Sequence, residues 1–201
     1  MSRFQQLYDY IEREKPKVVL ELGTWNGQSA KHMFSLGIEK YIGFDVWDEG
    51  TEELDEIENN VKKHATKEGV AKLLDGKDVE LIQGNTRRTF SEYVKDKTPF
   101  VDLVIIDGGH SYSTIKSDFL GAIRIANTDG SIFLDDYYFG CPDPKIGANL
   151  VMGELNVPYK VLPKVDKAKG GYTIKLCQVE MKYVPRKDWD MPEESSWRFE
   201  P

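Results

Sequence analysis

The sequence predicts an α/β fold: a mostly parallel, seven-stranded sheet with helices on both faces and an antiparallel hairpin at its C-terminal end. Three observations predict it. Short β-rich runs alternate with helix-patterned segments between residues 17 and 134, a rhythm that builds parallel sheets through right-handed crossovers. Residues 101–106, VDLVII, are almost continuously apolar, as a strand covered on both faces should be. After residue 136 two strand-like runs follow with no long helix between them, which favours an antiparallel pair at the sheet edge.

The elements follow in order. The opening MSRFQQLYDYIEREKP reads as an amphipathic helix rather than a secretion signal, because acids and glutamines interrupt any apolar stretch. A strand at 17–22 runs into a glycine turn and then a helix at 27–36. Strands at 41–45, 79–83, 101–107 and 131–134 come next, interleaved with helices at 51–74, 87–95 and 113–126. Strands at 159–163 and 172–179 are joined by the Lys-Gly-rich segment 165–171. The tail, 183–201, is rich in Pro, Glu and Trp and has no helical period. One domain, 1–182, followed by a tail is the expected organisation. The tail could close over a site, bury against a second subunit in a homodimer, or stay mobile.

Composition narrows the function. The chain has 201 residues, 40% hydrophobic and 30% charged, which suits one well-buried globular domain. No apolar run approaches the roughly 20 residues needed to cross a bilayer, so a cytoplasmic protein without a membrane partner is expected. Cys141 and Cys177 lie far apart with no CxxC or His-rich context, which favours reduced thiols over a disulfide or zinc site. A net charge of −7 argues against a nucleic-acid partner, which would need a basic surface. Lys62-Lys63 and Arg87-Arg88 read as solvated helix faces.

The most informative stretch is residues 18–30, VVLELGTWNGQSA. Gly23 and Gly27 would let the backbone pass close to a ligand and to the following helix. Glu21 stands where a dinucleotide site would place its first glycine, and a carboxylate there would repel a pyrophosphate. S-adenosylmethionine (SAM) has no phosphate and carries an amino group and a sulfonium, which an acidic loop favours. Ser29, in the first turn of the next helix, could bond the methionine carboxylate. Asp45, at the end of the second strand, is spaced to accept from ribose hydroxyls. The later strands also end in polar groups: Gly84-Asn85-Thr86, then Asp107-Gly108-Gly109-His110, then Asp135-Asp136. Polar turns are common. Five strands ending this way on one edge point to a ligand site instead.

VLELGTWNGQSA resembles the first motif of class I SAM-dependent O-methyltransferases, especially catechol O-methyltransferase. IDGGHSYSTIKSD resembles the fourth-strand region of small methyltransferases related to macrocin O-methyltransferase. The resemblance runs from about Val18 to Asp136 and implies a Rossmann-like methyltransferase fold. It also implies SAM as cofactor and a small hydroxylated molecule as acceptor. By it Gly23, Thr24 and Ser29 would border the methionine end, Asp45 the ribose, and Asn85 and Thr86 the adenine. Trp25 would cover the cofactor, or else pack in the turn.

In metal-dependent members an acid after the fourth strand and an acidic pair after the fifth hold the ion, positions that match Asp107, Asp135 and Asp136. Three converging carboxylates would repel one another, and Mg²⁺ or another divalent cation would resolve this with all-oxygen ligation. The alternative is that Asp135-Asp136 caps a strand end or meets the cofactor. His110 stands where the metal-dependent relatives carry a catalytic lysine and could accept the acceptor's proton. It could equally stack on adenine or cap the helix beginning near Ser113. His32 and His64 read as surface or packing residues. The catechol enzyme's further substrate-binding acid has no clear match, and Glu154 is a candidate by elimination only. Acceptor choice should be written after Tyr137, in 137–139, 141–145 and the Lys-Gly loop. The competing functions are a metal-independent methyltransferase, a nicotinamide oxidoreductase, or a non-catalytic nucleotide-binding module.

Overall fold

The computed structural model describes residues 2–47, 65–139, 147–167 and 173–185. Its helices are α1 (Gln5–Glu14), α2 (Gln28–Ser35), α3 (Lys67–Leu73), α4 (Thr86–Val94), α5 (Tyr112–Ile125) and α6 (Ala148–Leu155). Its strands are β1 (Val18–Leu22), β2 (Lys40–Asp45), β3 (Asp78–Gln83), β4 (Val101–Ile106), β5 (Ala126–Phe139), β6 (Lys160–Val161), β7 (Asp166–Lys167) and β8 (Thr173–Glu180). They form one sheet in the order β3-β2-β1-β4-β5-β8-β6, with the short β7 paired to β8. The pairs from β3 to β5 are parallel, and β8 is antiparallel to both β5 and β6. This is the expected Rossmann-like architecture, with the two-residue β7 as one strand more than the seven expected.

Alternation along the strands divides the core between the two faces. Leu20, Leu22, Ile42, Phe44, Val104 and Ile106 pack with Phe90 of α4, Phe119 of α5 and Val151 of α6. Val19, Tyr41, Leu103 and Ile105 pack with Leu7 and Ile11 of α1, Met33 of α2 and Val70 of α3. β4 supplies apolar residues to both faces, as its unbroken VDLVII run requires. Side-chain caps start three helices. The Asn85 side chain accepts from the Arg87 N–H, Ser111 from Thr114, and Thr66 from Gly69.

Three differences from the sequence reading have local causes. β5 is much longer than 131–134, because pairing with β4 resumes on either side of the irregular step before Leu103, so the turn-like Asn-Thr-Asp-Gly segment lies inside the strand. α6 had no counterpart, since eight residues containing Gly153 carry little helical signal, although Ala148, Val151 and Met152 form a buried stripe. Within the described residues, the helix expected at 51–74 is represented by α3, which has its own cap at Thr66. Its earlier part, and His64, lie outside the described residues. Among those residues no helix is long and apolar enough to cross a membrane.

Candidate active site

The strand order reverses between β1 and β4, and such a switch point opens a crevice beyond the strands' carboxyl ends. The turn after β1 and the loop after β4 meet there. Gly23 has φ +102°, and a Cβ added to it would land on the Asp107 carbonyl. The Asp107 N–H in turn donates to the Leu22 carbonyl at 2.8 Å. Gly27, at φ +73°, leaves room for Val70 of α3, whose Cγ1 would lie 2.8 Å from an added Cβ. Both glycines are therefore required by positive φ and by close approach of the protein's own atoms.

Asp45, at the tip of β2, pins this turn. Its Oδ2 accepts from the Trp25 N–H at 2.6 Å and its Oδ1 from the Trp47 N–H at 2.9 Å. The Trp47 indole N–H reaches the Trp25 carbonyl at 2.8 Å. Trp25 is 47% exposed above the turn, whereas Trp47 is buried. Trp25, Trp47 and Asp136 all hold positive φ without being glycine, and such strain gathers where neighbouring structure over-determines a site.

Beneath the turn lies a buried polar chain. Glu21 is 2% exposed and accepts from the Tyr41 hydroxyl and from Ser29. Tyr41 also meets Thr24 Oγ1 at 2.9 Å, and Ser29 meets the Tyr8 hydroxyl at 3.3 Å. Burial pushes the Glu21 carboxyl up to about 7, partly opposed by the Tyr41 hydrogen bond.

On the other side of the switch point the three expected acids meet. Asp107, Asp135 and Asp136 each offer an oxygen within 4.8 Å of the others. Asp135 and Asp136 are neighbours in sequence, yet both turn inward. The β5–β8 register shifts between Leu134 and Tyr137, and Asp136 has φ +58°, which breaks the strict alternation of a strand. Burial first, then the charges of Asp135 and Asp136, push Asp107 well above the usual carboxylate range. Asp135 is also raised by burial, with the Arg3 hydrogen bond as the main opposing influence.

Each member of the pair has polar partners. Arg3 grips Asp135 through two nitrogens, with Nε 2.6 Å from Oδ1 and Nη2 on Oδ2. His110 Nε2 lies 2.7 Å from Asp136 Oδ2, and the Tyr138 hydroxyl donates to Oδ1 at 2.8 Å. Ser111, not His110, caps α5, so the capping alternative for His110 is corrected. Arg3 and Tyr41 were missed by sequence reasoning, and Tyr138 was named only as part of the acceptor-choosing run 137–139, not as a partner of Asp136. Only Tyr138, two residues from Asp136, carried a local signal.

The remaining candidates are dispersed. The Thr86 hydroxyl is buried and donates to Asp118 at 3.1 Å, while Asn85 caps α4. His32 is exposed and packs edge-on against Tyr8. Glu154 sits on α6, paired with Lys116 at 2.7 Å and accepting from Tyr112. Tyr137 and Tyr159 stand together past the acids, hydroxyls 3.3 Å apart. Segment 141–145 and the tail beyond 185 lie outside the described residues.

A family model described as a methyltransferase domain matches residues 20–137, the span that carries every one of these loops. No curated protein sequence matches the chain. Among solved structures, the O-methyltransferase from Bacillus cereus in complex with SAH superposes with a TM-score of 0.61 at 14% identity, over 89% of this chain and 80% of that one. TomG, an O-methyltransferase from Streptomyces achromogenes involved in tomaymycin synthesis and bound to SAM, gives 0.59 at 16% identity, over 88% and 78%. A Clostridium thermocellum protein provisionally named an rRNA methylase gives 0.60 at 18% identity, over 92% and 98%. At these identities the likeness is one of fold.

Proposed function

Because the chain belongs to the methyltransferase domain family, we propose that it moves the methyl group of SAM to a hydroxyl of a small molecule. The observation that carries the finer part is the His110–Asp136 pair, 2.7 Å apart at the switch point. Asp136 would fix the imidazole's orientation while the ring takes the acceptor's proton. The freed oxygen would attack the methyl carbon in line, the carbon–sulfur bond would break, and S-adenosylhomocysteine would leave. The chain's own contribution is positioning and charge balance.

Cofactor contacts follow from the placement of the loops. Gly23, Thr24 and Gly27 form the turn against which the methionine end would lie, with Ser29 at the start of α2. Asp45 would take the ribose hydroxyls in addition to the two backbone N–H groups it holds, and Trp25 would cover the nucleoside. Asn85 would approach the adenine by way of the α4 cap, and Thr86 only from beneath. Glu21, being buried, would act through Ser29 and through its field rather than by direct contact. The overall charge of −7 supports a small acceptor over a polynucleotide.

By oxygen spacing alone Asp107, Asp135 and Asp136 would be the ligands of a hard divalent ion. When bound it would lower the pKa of an acceptor hydroxyl. In the structure, however, Arg3, His110 and Tyr138 already occupy the Asp135-Asp136 pair, and the site so arranged does not fit the ion.

The experiment is a thermal-shift panel of SAM, S-adenosylhomocysteine and NAD(H), each with and without Mg²⁺. A ligand at about 100 times its dissociation constant stabilises by about 2.7 kcal/mol, worth roughly 5–10 °C for a chain this size. S-adenosylhomocysteine should give a shift of that order and NAD(H) none. The reverse ranking would end the proposal. For catalysis, His110→Ala should lower methyl transfer to hydroxylated acceptors about 10²–10⁴-fold while leaving the S-adenosylhomocysteine shift intact.

A further inference from the structure

We propose that Arg3 is the resident cation of this site: its guanidinium holds Asp135 where a divalent ion would need it, so the acids take up no metal. The inference rests on the methyl-transfer reading only in treating these acids as the reaction site. Three converging carboxylates repel one another unless a proton or a positive charge comes between them. Arg3 delivers that charge from outside the family-matched span, across 132 positions of sequence. Its contact with Asp135 is bidentate, and the Asp135 side chain is only 1% exposed. That fork-on-carboxylate geometry is the strong form of a charge-assisted pair.

The guanidinium is itself held in place. Arg3 Nη1 meets Asp166 Oδ2 of β7 at 2.8 Å, and the same oxygen accepts from the Arg3 backbone N–H at 3.2 Å and the Ser2 hydroxyl at 3.2 Å. Phe4 packs its ring 5.0 Å from the guanidinium carbon. An incoming ion would therefore have to pull Asp135 away from a guanidinium that Asp166 holds in place from its other side. His110 and Tyr138 occupy Asp136 in the same way, so neither member of the pair offers an undirected carboxylate.

The test is Mn²⁺ binding followed by electron paramagnetic resonance, with S-adenosylhomocysteine binding measured in parallel by calorimetry. The wild-type chain should take up no stoichiometric Mn²⁺ at millimolar free ion, with or without S-adenosylhomocysteine. Arg3→Gln should bind one Mn²⁺ at least an order of magnitude more tightly, and adding Asp135→Asn should abolish that uptake. Arg3→Lys, which keeps the positive charge, should stay as refractory as the wild type, an outcome that a merely structural arginine would not produce. Stoichiometric Mn²⁺ on the wild type overturns the proposal, as does a folded Arg3→Gln chain that still binds none. If Arg3→Gln does not fold, the wild-type titration and Arg3→Lys decide by themselves. Loss of S-adenosylhomocysteine binding by the wild type would instead count against the methyl-transfer reading and leave the Mn²⁺ result standing.

Discussion

Glu21 is a buried acid whose folded-state pKa stands near 7, against about 4.5 when exposed. The folded chain therefore holds a proton that the unfolded chain releases. Stability falls as pH rises between those two values and levels off above the upper one. A gap of that size is worth about 3 kcal/mol. Urea unfolding from pH 5 to pH 8 should show this decline, and Glu21→Gln should make it shallower, since the amide never ionises while the raised acids Asp107 and Asp135 still do. A slope unchanged by the substitution would place the titration elsewhere. The sequence marked Glu21 as important for a charge that would turn away a diphosphate. Burial leaves that carboxyl only partly ionised near neutrality, so its part in cofactor choice is smaller than the motif suggests. Asp45 and the three clustered acids stood out because each was expected to end a strand, although Asp135 and Asp136 lie within β5 at its register shift. What they bond to did not stand out, because Arg3 lies more than a hundred positions from Asp135 and nothing local joins them.

At the scale of elements, α4 and α5 meet where Gly121 faces Phe90. A Cβ on Gly121 would lie 2.7 Å from the ring's Cε1. In an exposed helix Gly→Ala gains up to about 1 kcal/mol, but overfilling a packed contact costs about 1–3 kcal/mol. Gly121→Ala should thus lower the midpoint of chemical unfolding, and a rise would show that the helices separate easily. α1 is the opposite case, with Leu7 and Ile11 fully buried on the sheet. Leu7→Ala should cost about 2–5 kcal/mol, measured by the same unfolding curve, and loosen the helix that follows Arg3. The alternation of strands and helices was legible because each element repeats its own period locally. α6 was not, being short and interrupted by a glycine. Nor was the reach of β5, whose continuity depends on partners distant in sequence.

For the whole molecule, Cys177 reports on cooperative opening. It lies opposite Leu134 in the β5–β8 pair, is fully buried, and has its thiol pushed up to about 12 by burial. In a Cys141→Ser background a disulfide reagent should react only through opening of the sheet. A saturating cofactor should slow that reaction by the factor it adds to stability. Fast labelling that ignores ligand would mean that β8 peels away independently.

The contact between Gly23 and the Asp107 carbonyl has a mechanical corollary. Backbone resting on backbone leaves no slack, so the turn that would receive the nucleoside and the loop bearing the acids behave as one casting. An extra residue inserted in either would displace both, whereas lengthening the chain beyond Tyr137 would leave that joint undisturbed. Engineering a new acceptor preference should begin on the far side of it.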